Sequence, residues 1–141
     1  IFNSHSLDFV IHTGDISLPK TLKVFDLLDV PLKGVFGNND QDEKYDLLKV
    51  CEEKNFLFKD KLKIKISENN FLYAVHDPKD IEDEFYKSGN IIVHGHTHRF
   101  RNEIFRNTNI FNPGECAGIM KGFNKVGIID TDSRSMVAIS F

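Results

Sequence analysis

The segment Ile91-Ile92-Val93-His94-Gly95-His96-Thr97-His98 decides how this chain is read. Its first three residues form a continuous apolar run, as expected of a strand buried on both faces, and the run stops where three histidines occupy five positions. Extended backbone sends residues two apart to the same side, so His96 and His98 point together, while Gly95 lets other backbone approach closely. Two more segments end apolar runs and offer oxygen atoms: Gly14-Asp15 after Phe9 to Ile11, and Gly37-Asn38-Asn39-Asp40 after Val35-Phe36. His76 likewise follows the run Phe71 to Val75. In open α/β sheets ligands gather beyond the carboxyl ends of strands, a rule that brings Asp15, Asn38, His76 and His96 to one rim.

Outward from these points the chain alternates strands and helices in its first half and turns strand-rich in its second. Asp8 to Thr13 reads as a buried strand, and Leu18-Pro19 opens a helix whose stripe is Leu22, Phe25 and Leu28. Leu32 to Phe36 is the next strand. Asp42 to Lys54 predicts a surface helix with Tyr45, Leu48 and Val50-Cys51 on its apolar side. Period-two alternation at Leu62, Ile64 and Ile66, followed by Glu68-Asn69-Asn70, predicts a hairpin with Phe71 to Val75. Ile81 to Lys87 reads as a short helix ended by Ser88-Gly89. Arg99 to Arg106, Asn109 to Asn112, Val126 to Asp130 and Met136 to Phe141 read as antiparallel strands. The expected class is α/β, with mixed sheets covered by helices.

A chain of 141 residues fits one domain, residues 1–141, able to bury about two thirds of its unfolded surface. Eighteen Lys and Arg against 21 Asp and Glu give a net charge of −3 with no basic block, so bulk charge does not indicate nucleic acid. Cys51 and Cys116 lack a framework spacing, which points to a reducing, cytoplasmic setting. No apolar stretch approaches the roughly 20 residues that span a bilayer, so no membrane association is expected. Oligomeric state is not legible. The chain starts at Ile1 rather than Met, from which a missing upstream segment is expected.

Imidazole nitrogen with carboxylate and amide oxygen makes a mixed ligand set suited to Mn, Zn, Fe, Ni or Mg, and two distant cysteines exclude a thiolate zinc site. If Asp15 bridges two ions about 3.5–4 Å apart, the pair orients a phosphate, activates water near neutral pH and offsets charge developing in an in-line displacement. Taken singly, each residue has an ordinary reading. Asp15 suits a turn, His76 a satisfied strand end, His94 and His12 hydrogen-bonded structural roles, and His5 a solvated one. Asp40 suits either a turn cap or a group that holds Asn38, and Asn112-Pro113-Gly114 suits a loop near the rim with Asn112 on backbone.

In their order, Gly14-Asp15, Gly37-Asn38-Asn39-Asp40, strand-end His76 and Gly95-His96-Thr97-His98 resemble the successive motifs of the calcineurin-like metallophosphoesterases, almost end to end. The Gly-Asn-Asn-Asp form and Asn112-Pro113-Gly114-Glu115 resemble, within that superfamily, the small bacterial and archaeal phosphodiesterases related to the eukaryotic retromer subunit. The resemblance implies an α/β/β/α fold: a two-sheet sandwich flanked by helices, here lacking its first strand. It also implies a metal-dependent phosphodiesterase that hydrolyses a small phosphoester through a metal-activated water at a dinuclear site. Asp15 would bridge both ions, His98 would serve the first, and Asn38, His76 and His96 would complete the second. Asn39 and Asp40 would support them, and manganese is the implied metal, with nickel, zinc, iron or magnesium as substitutes.

Three departures follow. Family members open with a strand ending Asp-x-His, which has no counterpart before Asp15. Ile1 to Leu7 instead resembles the end of the helix that follows that strand, so an N-terminally truncated, poorly active fragment is expected. Asn39 stands where many members carry a proton-donating histidine, a substitution common in the small phosphodiesterases. Asp77-Pro78 follows His76 where glycine is usual, and Asp77 is expected to bind water or cap the next turn. A noncatalytic protein-binding scaffold of the retromer-subunit type is the alternative the same resemblance permits.

Overall fold

The apolar runs of the strands are continuous because both of their faces are covered, and the alternation of side chains sorts them into separate layers. The structure, a computed structural model, describes all residues 1–141. A parallel three-stranded sheet is built from β1 (Val10–His12), β2 (Leu32–Val35) and β3 (Leu57–Lys59), in that order. Two helices cover its outer face: α1 (Pro19–Leu22), which continues as a 3-10 turn over Lys23–Leu27, and α2 (Lys44–Lys54). Val10 and Leu32 point outward to meet Leu22, Leu47 and Cys51, with Phe25 and Leu28 packed at the margin. Pro19 sits in the first turn, where its missing N–H has no helical partner to lose. Asn55, left-handed at φ 57, closes α2.

The second sheet has five strands in the order β4, β5, β6, β8, β7, with β4 at Leu62–Lys65, β5 at Phe71–Val75, β6 at Ile91–His94, β7 at Arg101–Phe105 and β8 at Thr108–Asn112. Its inner face, Leu72, Ala74, Ile91, Val93 and Phe111, meets Val35 and Ile11 of the first sheet. The outer face, Tyr73, Val75, Ile92 and Ile110, is closed by Phe85, whose ring stacks on Tyr73 at 4.1 Å between centroids. Complete burial of each such side chain contributes about 1.5–3 kcal/mol, so the sandwich interior dominates what holds the two sheets together. A hairpin of β9 (Lys125–Ile129) and β10 (Met136–Ser140) lends Ile129, Met136 and Ala138 to that interior.

Four expectations are corrected. Ile81 to Lys87 is no helix: single 3-10 turns at Pro78–Asp80 and Asp83–Phe85 cover the outer face, with extended backbone at Ile81 and Glu82 between them. The helical covering is therefore on one side of the sandwich only. On α2 the buried residues are Leu47 and Cys51, while Tyr45 and Leu48 face outward at 72% and 44% exposure. Leu57–Lys59 forms a strand that the sequence pattern did not single out. Finally, β8 pairs antiparallel with β7 but parallel with β6, so the strand-rich half is mixed.

Candidate metal centre

Three strand ends deliver the site. The turn after β1 carries Gly14-Asp15, the turn after β2 carries Gly37 to Asp40, and β5 ends directly in His76. Beyond β6, His94 completes the strand, and Gly95-His96 turns across the rim. Close approach of these turns depends on two glycines: a Cβ on Gly14 would overlap the His76 ring, and one on Gly37 would overlap the Asp15 carboxylate. Asp15, His96 and His98 all occupy left-handed backbone, at φ 63, 62 and 55, a conformation that non-glycine residues adopt at a cost and that clusters at functional sites.

Buried Asp40 ties the first two turns together. One of its carboxylate oxygens accepts from Gly37 N at 2.6 Å and Asp15 N at 2.9 Å, and the other accepts from Ser17 N at 2.7 Å. Asn39 then fixes the Asp15 side chain: its backbone N–H donates to Oδ1 at 2.9 Å and its Nδ2 to Oδ2 at 3.0 Å. Both residues thus act on the other loops, beyond a turn-capping role.

The hydrogen bonds orient both amides and the His76 ring at the centre. Asp15 Oδ2 only accepts, so Asn39 Nδ2 faces it and Asn39 Oδ1 is left to accept from Asn38 Nδ2 at 3.2 Å. Asn38 Oδ1 therefore faces the histidines. His76 Nδ1 donates to the Thr13 carbonyl at 2.7 Å, which leaves a lone pair on Nε2, 3.0 Å from Asn38 Oδ1 and 3.4 Å from Asp15 Oδ2. His96 Nδ1 lies 3.0 Å from Asn38 Oδ1 and 3.1 Å from His76 Nε2, and its Nε2 stands 3.6 Å from Asp77 Oδ2. Asp15, His76 and His96 offer ligand atoms that all lie within 4.8 Å of one another. Two imidazole nitrogens, an amide oxygen and a carboxylate oxygen thus converge from four separate turns and strand ends, a donor set that one cation can satisfy together. Oxygen and imidazole donors fit a divalent transition ion.

The sequence candidates separate accordingly. Asp15, Asn38, His76 and His96 come together, with Asn39 and Asp40 beneath them. His98 is exposed on the same loop as His96, outside that group. His94 is buried, donates from Nδ1 to Gly95 O and accepts at Nε2 from Arg101; burial lowers its pKa. Asn112 donates to Gly95 O at 3.1 Å and Thr97 Oγ1 at 3.2 Å, bracing the loop that carries His96. His12 accepts from Gly14 N and packs edge-on to Phe25, and burial pushes its imidazole down to about 4. His5 bonds to Ile1 O on the surface. Sequence reasoning missed the Thr13 carbonyl, a backbone group that no side-chain pattern marks. Asp77 caps the following turn through Lys79 N, a bond that lowers its pKa, and also meets His96, which its place next to His76 hinted at.

A mixed α/β sandwich with histidine, amide and carboxylate ligands on turns beyond its strand ends defines a metallophosphoesterase type of protein. The family model for the calcineurin-like phosphoesterase superfamily domain matches residues 1–134, and the chain belongs to that superfamily. It is 30% identical over 138 residues to a phosphodiesterase of Methanocaldococcus jannaschii, covering 95% of this chain and 82% of that one. A solved archaeal phosphodiesterase superposes with a TM-score of 0.86 at 27% identity, covering 99% of this chain and 87% of the other. Vacuolar protein sorting 29 from Cryptosporidium parvum superposes with a TM-score of 0.56 at 17% identity, covering 96% and 82%, a likeness of fold.

Proposed function

We propose that this chain is a metal-dependent phosphodiesterase that hydrolyses a small phosphoester, with residues 1–141 acting as one domain. The observation that carries the reading is the convergence of Asp15 Oδ2, Asn38 Oδ1, His76 Nε2 and His96 Nδ1 on one point of the rim. A divalent cation held there, manganese before nickel, zinc, iron or magnesium, supplies Lewis acidity toward a phosphoryl oxygen and lowers the pKa of a water near it. Asp15 brings the one formal negative charge among the four, and Asn39 holds both of its oxygens. In the dinuclear arrangement that we propose, Asp15 would serve both ions, His98 would serve the first, and Asn38, His76 and His96 would complete the second. The Thr13 carbonyl holds the His76 ring through Nδ1 and so turns Nε2 inward, and Asp77 stands beside the outward Nε2 of His96. Asn39, with its amide committed to Asp15 and Asn38, gives no proton to a leaving group.

We place the protein in the cytoplasm. Both cysteines are free, Cys51 buried with its thiol pushed up to about 11 and Cys116 exposed, as a reducing compartment keeps them. No helix is long and apolar enough to cross a membrane. The protein-scaffold alternative draws on a likeness at 17% identity that speaks to the fold alone, and docking has no use for converged lone pairs.

The test is metal content per chain together with hydrolysis of bis(4-nitrophenyl) phosphate in manganese. Bound metal, a melting temperature raised by manganese, and turnover lost in His76→Ala are expected. A chain that takes up no divalent ion and cleaves no diester overturns the reading.

A further inference from the structure

A cleft of about 530 Å³ opens directly beside the metal centre and shares Asn38, His76 and His96 with it. That volume lies in the range of small-molecule sites, about 300–1,000 Å³, but its chemistry is unusual for one. Of its 11 wall residues only Phe36 is hydrophobic. The remaining wall beyond the metal centre includes Gln41, Lys44, Asp60, Lys61 and Asp80, from α2's approach, the β3–β4 turn and the turn after β5. Anything bonded to a phosphorus at the centre and extending into this cleft meets a wall of polar and charged residues, with no apolar side chain beyond Phe36.

Charge narrows the occupant further. The wall holds two ammonium groups against the carboxylates of Asp60, Asp77 and Asp80. Lys44 is already paired with Asp60, and Lys61 with Glu82 and the Asp80 carbonyl at 2.6 and 3.1 Å. A second phosphate or carboxylate on the occupant would therefore find both ammonium groups already matched and two further carboxylates, Asp77 and Asp80, in the wall. Aromatic stacking is also closed off. Phe36 is only 6% exposed, Lys44 Nζ lies 5.1 Å from its ring centroid, and Phe58 packs against it at 5.6 Å. A nucleobase has no free ring face to lie on. Donors and acceptors in alternation remain: ammonium groups, carboxylates, and the Gln41 amide, whose Nε2 is committed to Gly37 O and whose carbonyl oxygen stays available.

From this cleft we infer that the leaving alcohol of the substrate is a neutral polyol, so that the protein cleaves phosphodiesters of glycerol- or sugar-alcohol type in preference to nucleotides. Vicinal hydroxyls donate to carboxylates and accept from ammonium groups without bringing charge, which matches what the wall offers. The inference rests on the phosphodiesterase reading above.

The test compares kcat/KM for glycerophosphoglycerol and for a dinucleoside monophosphate, diesters with similar intrinsic reactivity, in manganese, with bis(4-nitrophenyl) phosphate as the reference diester. A preference of about 10-fold or more for the polyol diester is expected, the size of one or two charge-assisted hydrogen bonds. In Lys61→Met and Lys44→Met, which keep the aliphatic stems, the ratio of polyol to reference kcat/KM falls about 10-fold, mostly through KM. An independent readout is the NMR shift of the Gln41 side-chain amide on titration with a non-hydrolysable phosphonate analogue of glycerophosphoglycerol. Equal or better cleavage of the dinucleoside, or an unmoved ratio in both variants, overturns the polyol assignment while leaving the phosphodiesterase reading intact. Absence of turnover on the reference diester overturns both.

Discussion

Asp77 shows how a single residue outside the ligand set governs it. Its carboxylate caps Lys79 N and stands 3.6 Å from His96 Nε2, on the side of the ring opposite the Nδ1 that faces Asn38 and His76. Asp77→Ala is expected to weaken divalent-ion binding about 10-fold, the effect typical of losing an outer partner of a ligating histidine. Asp77→Asn, which still caps and still accepts, should restore most of it. Chelator competition measures the affinity, and the histidine 15N shifts report the tautomer; unchanged affinity in Asp77→Ala would remove Asp77 from the site. His98 presents a different balance. It is exposed and left-handed at φ 55, so its side chain costs stability where it stands. His98→Gly should leave the melting temperature equal or raise stability by about 1 kcal/mol, because glycine adopts that backbone freely. Hydrolysis of the chromogenic diester should nonetheless fall sharply, and full activity would mean that His98 serves no ion.

At the scale of elements, the turns after β1 and β2 are held as one unit by a buried carboxylate. Asp40 accepts three backbone N–H groups from both turns, and removal leaves all three without a partner. Asp40→Ala should destabilise the fold by about 3 kcal/mol or more in urea unfolding, with metal affinity lost in parallel. A loss below 1 kcal/mol, on the order of an ordinary surface change, would show that the turns hold without it. The helices illustrate where pattern reading stops. Tyr45 and Leu48 are three apart and Leu47 and Cys51 are four apart, so both pairs satisfy helical periodicity. Only the position of β1 and β2 beneath the helix selects Leu47 and Cys51 for burial. Likewise Phe85 reaches the core and Ile81 packs at its margin, as a helical spacing would have them, but Phe85 does so from a short 3-10 turn and Ile81 from the extended backbone that precedes it.

For the molecule as a whole, His12 at the end of β1 makes stability depend on acidity. Burial lowers its pKa from 6.5 to about 4, so the folded state resists a proton that the unfolded chain accepts. Its contribution is therefore complete above pH 6.5 and is lost progressively as pH falls toward 4. Urea midpoints should drop across that window in the native chain and drop less in His12→Asn; parallel profiles would contradict the burial argument.

Three residues of the centre are legible in the sequence because each is marked locally by glycine beside a polar residue at the end of an apolar run, Gly14-Asp15, Gly37-Asn38 and Gly95-His96, and His76 is marked only by its place directly after the run Phe71 to Val75. Strand-forming runs and the ligand chemistry are properties of contiguous sequence, where propensity and alternation act over a few residues, and so is membership of the superfamily. What tertiary structure alone decided is which lone pairs meet. The Thr13 carbonyl that orients His76, the Asp77 carboxylate beside His96 and the crowded polar cleft formed by Lys44, Asp60 and Lys61 unite groups far apart in the chain. Their distances are set by how two sheets pack and how closely glycine turns approach, quantities that exist only once the backbone has closed on itself.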